Sequence, residues 1–268
     1  MPPPPPGTLE LLFRAIVNNK IEDVGSLCRK FGKDLVNQSD KYGRTPLWIA
    51  ADCSSTTATG FLLKYGANPM TADVWKLTPL HQAAIRNNAN IVSQLIEAIP
   101  DKGARTAYVN QTDATEESAL FVSAGENNHQ IALILTKAKA NIALQNSQGD
   151  TPLHRIKDIR MADILLKNIY PEDMRRALSI KNIDDKTAAE TVTEPNVSAY
   201  LKKMEEDILL KLQQEQFKKR SEKKDSVPPS ALLVTGMFAT RPTSPSIARC
   251  GSDRDLVGRV ALLLQRRV

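Results

Sequence analysis

The sequence predicts an all-α solenoid of stacked helical hairpins, extended by one long helix and an unstructured tail. Three observations predict it. A short motif recurs in phase: Thr45-Pro46-Leu47-Trp48-Ile49-Ala50-Ala51 is followed by Thr78-Pro79-Leu80-His81-Gln82-Ala83-Ala84, 33 residues later. Flanking residues recur with it, and each copy has the composition of a helix pair too small to bury its own apolar face. Fixed-period repetition of this kind marks a repeat architecture, so it is weighed before any other signal.

Two further copies extend the array. Thr151-Pro152-Leu153-His154 is a third, and Ser118-Ala119-Leu120-Phe121-Val122-Ser123-Ala124, 33 residues before it, is a divergent fourth. Positions 78 and 118 are 40 apart, which implies an insertion of about seven residues on the 33-residue period. Asp40, Asp73 and Asp113 each lie five residues before the Thr or Ser, with Asn146 in that place in the later copy; Gly43 and Gly149 lie two before it. Downstream, Phe61 to Asn68 matches Ile134 to Asn141, ending in Ala-Asn both times.

The local chemistry supports helices at these places. Thr is a good N-cap and Pro suits the first turn, where its missing N–H has no intrahelical partner to lose. Leu with a pair of Ala gives a short inner helix whose small side chains permit close approach. A second apolar helix follows, as in Ile91-Val92-Ser93-Gln94-Leu95-Ile96, and Gly66 suits the end of one such helix. Stacking completes a core that no hairpin has alone.

These residues resemble the ankyrin-repeat family, over roughly positions 8 to 200. The resemblance implies β-hairpin-like tips and about six repeats with degenerate ends. Leu9 to Val36 reads as the first, with Leu12 and Ala15 where Leu47 and Ala50 stand, and Thr187 to Val192 as the start of the last. Lys76, Glu116 and Asp185 occupy the tip position that favours glycine, so those tips are expected to be reshaped or strained. The fifth repeat is about three residues short, and Pro171 to Leu178, in the long connection after it, reads as an extra helix. Thr45, Pro46, Leu47, Thr78, Pro79, Leu80, His81, Thr151, Pro152, Leu153 and His154 are the structural motif; the resemblance implies that His81 and His154 hydrogen-bond backbone between neighbouring repeats.

The flanks read differently. Residues 1–7 are a proline-rich leader. From Pro195 to about Lys224, Val197, Leu201, Met204, Ile208 and Leu212 form an apolar stripe at helical spacing. The segment 201–225 is thus an extended charged helix, either folded back as a cap on the last repeat or offered to a partner. Residues 226–268 are basic and rich in Pro, Ser and Arg, the composition of a disordered tail. An amphipathic basic helix over 253–268 is the other reading of its end.

Composition bounds the function. The net charge of +6 resides in the C-terminal part, because residues 1–199 hold 22 Lys/Arg against 22 Asp/Glu. A neutral repeat domain argues against nucleic acid as its partner. The alternative function is nucleic-acid or anionic-membrane binding through the basic tail. Cys28, Cys53 and Cys250 are odd in number and widely spaced, which fits a reducing compartment and neither a disulfide framework nor a zinc site. No apolar run approaches a membrane span, and the N-terminus is not a secretory signal. A cytoplasmic location is expected, with secretion by another route left open. No catalytic constellation, phosphate loop, cofactor site or metal spacing is present, so the protein is expected not to be an enzyme.

What remains is surface chemistry. The resemblance implies that partners are held by the tips and the concave side of the inner helices. Read by register, Tyr42, Arg44, Val74, Trp75, Leu77, Ile85 and Arg86 are presented there. Val74, Trp75, Leu77 and Ile85 are apolar where solvent should lie, and Trp, Tyr and Arg are the residues enriched at binding hot spots. The expectation is an interaction module or adaptor, monomeric, that binds another protein around Trp75. The other reading of Trp75 is that it folds onto Tyr42 to cover a weak tip.

Overall fold

The computed structural model describes residues 3–167 and 169–225, with side chains as far as Lys218. The predicted tail, 226–268, lies outside the described residues. The repeats lie within one compact unit ending at Lys219; of the unit from Arg220 onward, only the helical backbone to Asp225 is described.

Six hairpins follow one another in chain order. α1 (Thr8–Val17) and α2 (Ile21–Phe31) form the first, with a single-turn α3 (Lys33–Val36) after them. α4 (Pro46–Asp52) pairs with α5 (Thr56–Lys64), and α6 (Pro79–Ile85) with α7 (Ala89–Glu97). α8 (Lys102–Val109) fills the insertion, and α9 (Ala119–Gly125) then pairs with α10 (His129–Lys137). In the fifth repeat the inner element shrinks to a 3-10 turn, Pro152–Arg155, before α11 (Ile159–Leu166). α12 (Pro171–Ser179) is the extra helix expected there, and α13 (Ala188–Thr191) with α14 (Pro195–Asp225) ends the array. Besides their own outer helices, the inner elements pack chiefly on their neighbours, α1 on α4, α4 on α6, α6 on α9, α9 on the 3-10 turn and that turn on α13. This is the nearest-neighbour packing of a solenoid.

The motif residues act as their chemistry requires. Thr45, Thr78 and Ser118 accept hydrogen bonds from the backbone N–H three residues on, at 3.2, 3.4 and 3.2 Å. Pro46, Pro79 and Pro152 occupy the first turn. Leu47, Leu80, Leu120 and Leu153 are fully buried, as are Ala51, Ala84 and Ala124. His81 and His154 close capping boxes, their Nδ1 accepting from Thr78 N–H at 3.3 Å and Thr151 N–H at 3.1 Å. An accepting Nδ1 carries no proton, so Nε2–H donates, to Glu117 O and Lys186 O in the next repeat, each at 3.2 Å. These are the inter-repeat bonds the resemblance implies. At the last repeat Glu190 replaces His, and its carboxylate accepts from Thr187 N–H at 2.9 Å.

The tips decide between two expectations. Lys76, Glu116 and Asp185 keep the left-handed conformation of Gly43 and Gly149, with φ of 60, 65 and 59° against 78 and 74°. The turns are therefore strained but not reshaped. What holds them is the residue three positions earlier. Asp73, Asp113 and Asn182 each accept two backbone N–H bonds across the turn, at 2.8–3.1 Å, as Asp40 and Asn146 do at the glycine tips. Two bonds to one side-chain oxygen over-determine the turn and hold a conformation that costs roughly 1 kcal/mol for a residue with a Cβ. Among the described residues there are no strands. Isolated antiparallel bridges, Thr112 to Ser118 and Lys181 to Thr187, are the hairpin character of two tips.

The long helix takes the cap role over its first turns. Val197 and Leu201 are fully buried, Ser198 Oγ donates to Ala189 O in α13, and Tyr200 Oη donates to Asp163 in α11. The apolar stripe stays buried as far as Leu212, with Met204 half-buried.

Candidate protein-binding surface

Successive tips are joined by single backbone bonds. Val74 N–H donates to Tyr42 O at 2.9 Å, Ala114 N–H to Trp75 O at 2.9 Å, Ser147 N–H to Thr115 O at 3.0 Å and Ile183 N–H to Gln148 O at 3.1 Å. Tip residues of the same register therefore sit side by side, and Tyr42 and Trp75, 33 apart in the chain, become neighbours. Their rings stack with centroids 6.1 Å apart and planes at 18°. Trp75 remains 53% exposed and Tyr42 39% exposed. Trp75 thus leans on Tyr42, as one reading of the sequence expects, and keeps half its surface open.

Arg44 packs against one member of this pair, Tyr42. Its guanidinium lies 5.0 Å from the Tyr42 ring centroid and 5.7 Å from that of Trp48, the residue standing where His81 stands one repeat later. Arg44 also binds Asp40, through Nε at 2.8 Å and an Nη at 2.6 Å. Burial alone would raise the Asp40 carboxyl, but the bonds from Arg44 and from the Tyr42 and Arg44 N–H groups outweigh it, and its pKa lies below the ordinary value. Arg44 is thus a locked scaffold residue more than a free contact. In the third tip, Leu77 takes the place of Arg44. Asp73 Oδ1 still accepts from Trp75 N–H and Leu77 N–H, but buried Oδ2 has no hydrogen-bond partner.

Ile85 and Arg86 form a second group. They end the inner helix, about 10 Å along α6 from Thr78 at 1.5 Å per residue. Arg86 binds Asp52 of the preceding inner helix at 2.6 Å, and Gln82 donates to the same carboxylate oxygen. Ile85 is 44% exposed beside this network. The tip cluster of Tyr42, Arg44, Val74 and Trp75, with half-buried Leu77, is therefore continuous, while Ile85 and Arg86 lie apart from it on the same repeat. Farther along, Gly125 is buried beneath the Arg155 side chain, whose guanidinium sits 5.6 Å from the Phe121 ring.

The titratable groups serve the scaffold. Burial holds His81 and His154 below the usual imidazole pKa, which Asp113 and Glu117 O for the one, and Lys186 O for the other, only partly oppose. At Cys53, burial and then the Asp52 charge push the thiol up, away from a reactive thiolate. His129 has a partner that the sequence did not announce. Its Nε2 meets the Asp158 carboxylate at 2.9 Å, where Asp158 also caps α11 and accepts from Asn127 at 2.9 Å. Among the described residues, no three His, Cys, Asp or Glu side chains converge to hold a metal, and no helix is long and apolar enough to cross a membrane.

Comparison with known proteins places this stack. The family model described as "Ankyrin repeats (3 copies)" matches residues 11–107 and 80–174, more than half of the chain. The human transient receptor potential cation channel subfamily A member 1 is 28% identical over 54% of this chain and 12% of its own length. Mouse inversin is 31% identical over 53% and 13%, and mouse neurogenic locus notch homolog protein 1 is 32% identical over 46% and 6%. The chain therefore spans about an eighth or less of the length of these relatives. With the 33-residue phase, the capping boxes and the tip-to-tip bonds already in view, the chain belongs to the ankyrin-repeat family.

Proposed function

We propose that this chain holds a protein partner on the tips of its second and third repeats, with Trp75 as the anchor, Tyr42, Val74 and Leu77 around it, and Ile85 and Arg86 as a secondary contact along the inner helix. Ankyrin repeats are protein–protein interaction modules and typically a non-catalytic fold. The observation that carries the reading is Trp75, half exposed on a tip whose backbone is bonded on both sides, with its ring stacked on Tyr42, which in turn lies against the Arg44 guanidinium. A large aromatic surface held in place before binding loses little freedom on contact, the property that makes Trp and Tyr effective anchors.

The test is affinity isolation with three proteins: the intact chain, Trp75→Ala, and Tyr170→Ala as a control at an exposed site at the start of α12. Proteins retained by the intact chain and the control, and lost from a Trp75→Ala protein of unchanged thermal stability, support the reading. Equal retention by all three refutes it.

A further inference from the structure

Charge is uneven along the row of tips. In the second and third tips both acids are turned inward: Asp40 is occupied by Arg44 and the turn N–H groups, and Asp73 by the N–H groups of its own turn. Lys41 and Lys76 are exposed and form no ion pair among the described residues. Lys41 Nζ lies 4.9 Å from the Tyr42 ring centroid, and Lys76 follows Trp75 directly, at a φ of 60° that keeps it at the turn's apex. Two exposed lysines without an ion-pair partner among the described residues thus flank the aromatic pair. The fourth tip has the opposite sign at its surface, with Glu116 exposed, whereas in the last Asp184 and Asp185 lie between exposed Lys181 and Lys186, with Asp185 paired to Lys181.

We propose that the platform takes an acidic protein segment: an apolar or aromatic side chain lies on Trp75, and carboxylates on either side of it reach Lys41 and Lys76. This rests on the reading of the tips as the binding surface and adds the chemistry of what binds there. Glu116 confines such a segment to the second and third tips, because further acids would meet like charge at the fourth. The same repulsion disfavours a long polyanion such as nucleic acid, which cannot end its charge at two tips.

Selection from a random peptide display library tests the proposal without knowledge of the natural partner. The baits are the intact protein, Trp75→Ala and the double variant Lys41→Glu/Lys76→Glu, each checked for unchanged helicity and melting temperature. The expected result on the intact protein is enrichment of peptides with two or more acids around an apolar or aromatic residue, lost on Trp75→Ala and replaced by basic peptides on the double variant. For a synthetic peptide so selected, Lys41→Ala or Lys76→Ala should each weaken binding by about two- to fivefold at low salt, and Trp75→Ala by roughly 30-fold. The lysine effects should shrink as salt is raised, because exposed pairs are screened. Trp75-dependent enrichment of neutral or basic peptides on the intact protein overturns the acidic-segment proposal while the surface reading stands. Enrichment indifferent to Trp75→Ala overturns the surface reading. No enrichment at all, or Trp75-dependent capture of a single-stranded oligonucleotide without any acidic peptide, also overturns the proposal.

Discussion

Replacing Leu77 by Arg should stabilise the protein, although it removes an apolar side chain. Leu77 has the register of Arg44, four residues after the tip Asp, and Arg44 closes bonds of 2.6 and 2.8 Å on Asp40 Oδ2. Asp73 Oδ2 is buried without any such donor. A buried polar atom left unpaired costs ~1–3 kcal/mol, and a bond to a charged group recovers part of that. Against this stand the lost packing of a half-buried leucine and the ordering of a long side chain, together ~1 kcal/mol. The equivalent pair in the second tip is partly open to solvent, with side chains 33% and 18% exposed, so screening limits its strength. The net gain should be ~0.5–1.5 kcal/mol, a rise in melting temperature of about 2–4 °C per kcal/mol for a domain of this size. Urea and thermal unfolding followed by circular dichroism read it. In an Asp73→Asn background the gain should vanish, because Nδ2 would then offer the arginine a donor. Loss of stability in the Asp73 protein, or the same gain in both backgrounds, would refute the reasoning.

Other consequences are open to the same assays. Leu80→Ala, at a fully buried site between neighbouring hairpins, should cost ~2–5 kcal/mol of stability. His81 is neutral when folded and its pKa lies below 6.5, so the unfolded chain binds the proton first; stability should fall as pH drops from about 6.5 toward the folded pKa, and His81→Gln should flatten that fall in a pH series of urea titrations. Glu116→Gly should relieve left-handed strain at a tip already held by Asp113 and raise the urea midpoint by the equivalent of ~0.5–1 kcal/mol. Leu201→Asp should release the start of α14 from the last repeat, seen as faster amide exchange through α13 and α14 with the second and third repeats unchanged.

Much of this was legible in the sequence because ankyrin hairpins interact locally and in phase. The 33-residue register alone puts Tyr42 beside Trp75 and Arg44 in line with Leu77, since tip residues bond to the next tip at the same register positions. The ends were also legible: Leu12 and Ala15 are buried as their match to Leu47 and Ala50 implies. Where the motif lapses, legibility lapses. The insertion was visible only as a spacing of 40, although Asp101, which caps α8 through Ala104 N–H, and apolar Ala104, Tyr108 and Val109 were a helix signal. The His129–Asp158 contact joins residues 29 apart that belong to no motif, so pattern could not pair them. The tips at Lys76, Glu116 and Asp185 were legible as strained, but not what holds their shape. Glycine was taken as the determinant of the turn, whereas the two N–H bonds to the preceding Asp or Asn suffice to hold Lys76, Glu116 and Asp185. Periodicity showed that α14 has an apolar face but not what covers it, since a cap and an interface share one pattern.

The most direct measurement of the binding surface is site-specific photo-crosslinking in cells. A benzophenone amino acid is placed at Val74, which is 58% exposed beside Trp75, and in a second protein at Tyr170, far along the chain at the start of α12. The account predicts a discrete protein adduct from position 74, none of it from position 170, and its disappearance when Trp75→Ala is combined with the position 74 probe. Adducts of the same protein from both positions, or an adduct at position 74 that survives Trp75→Ala, would contradict it.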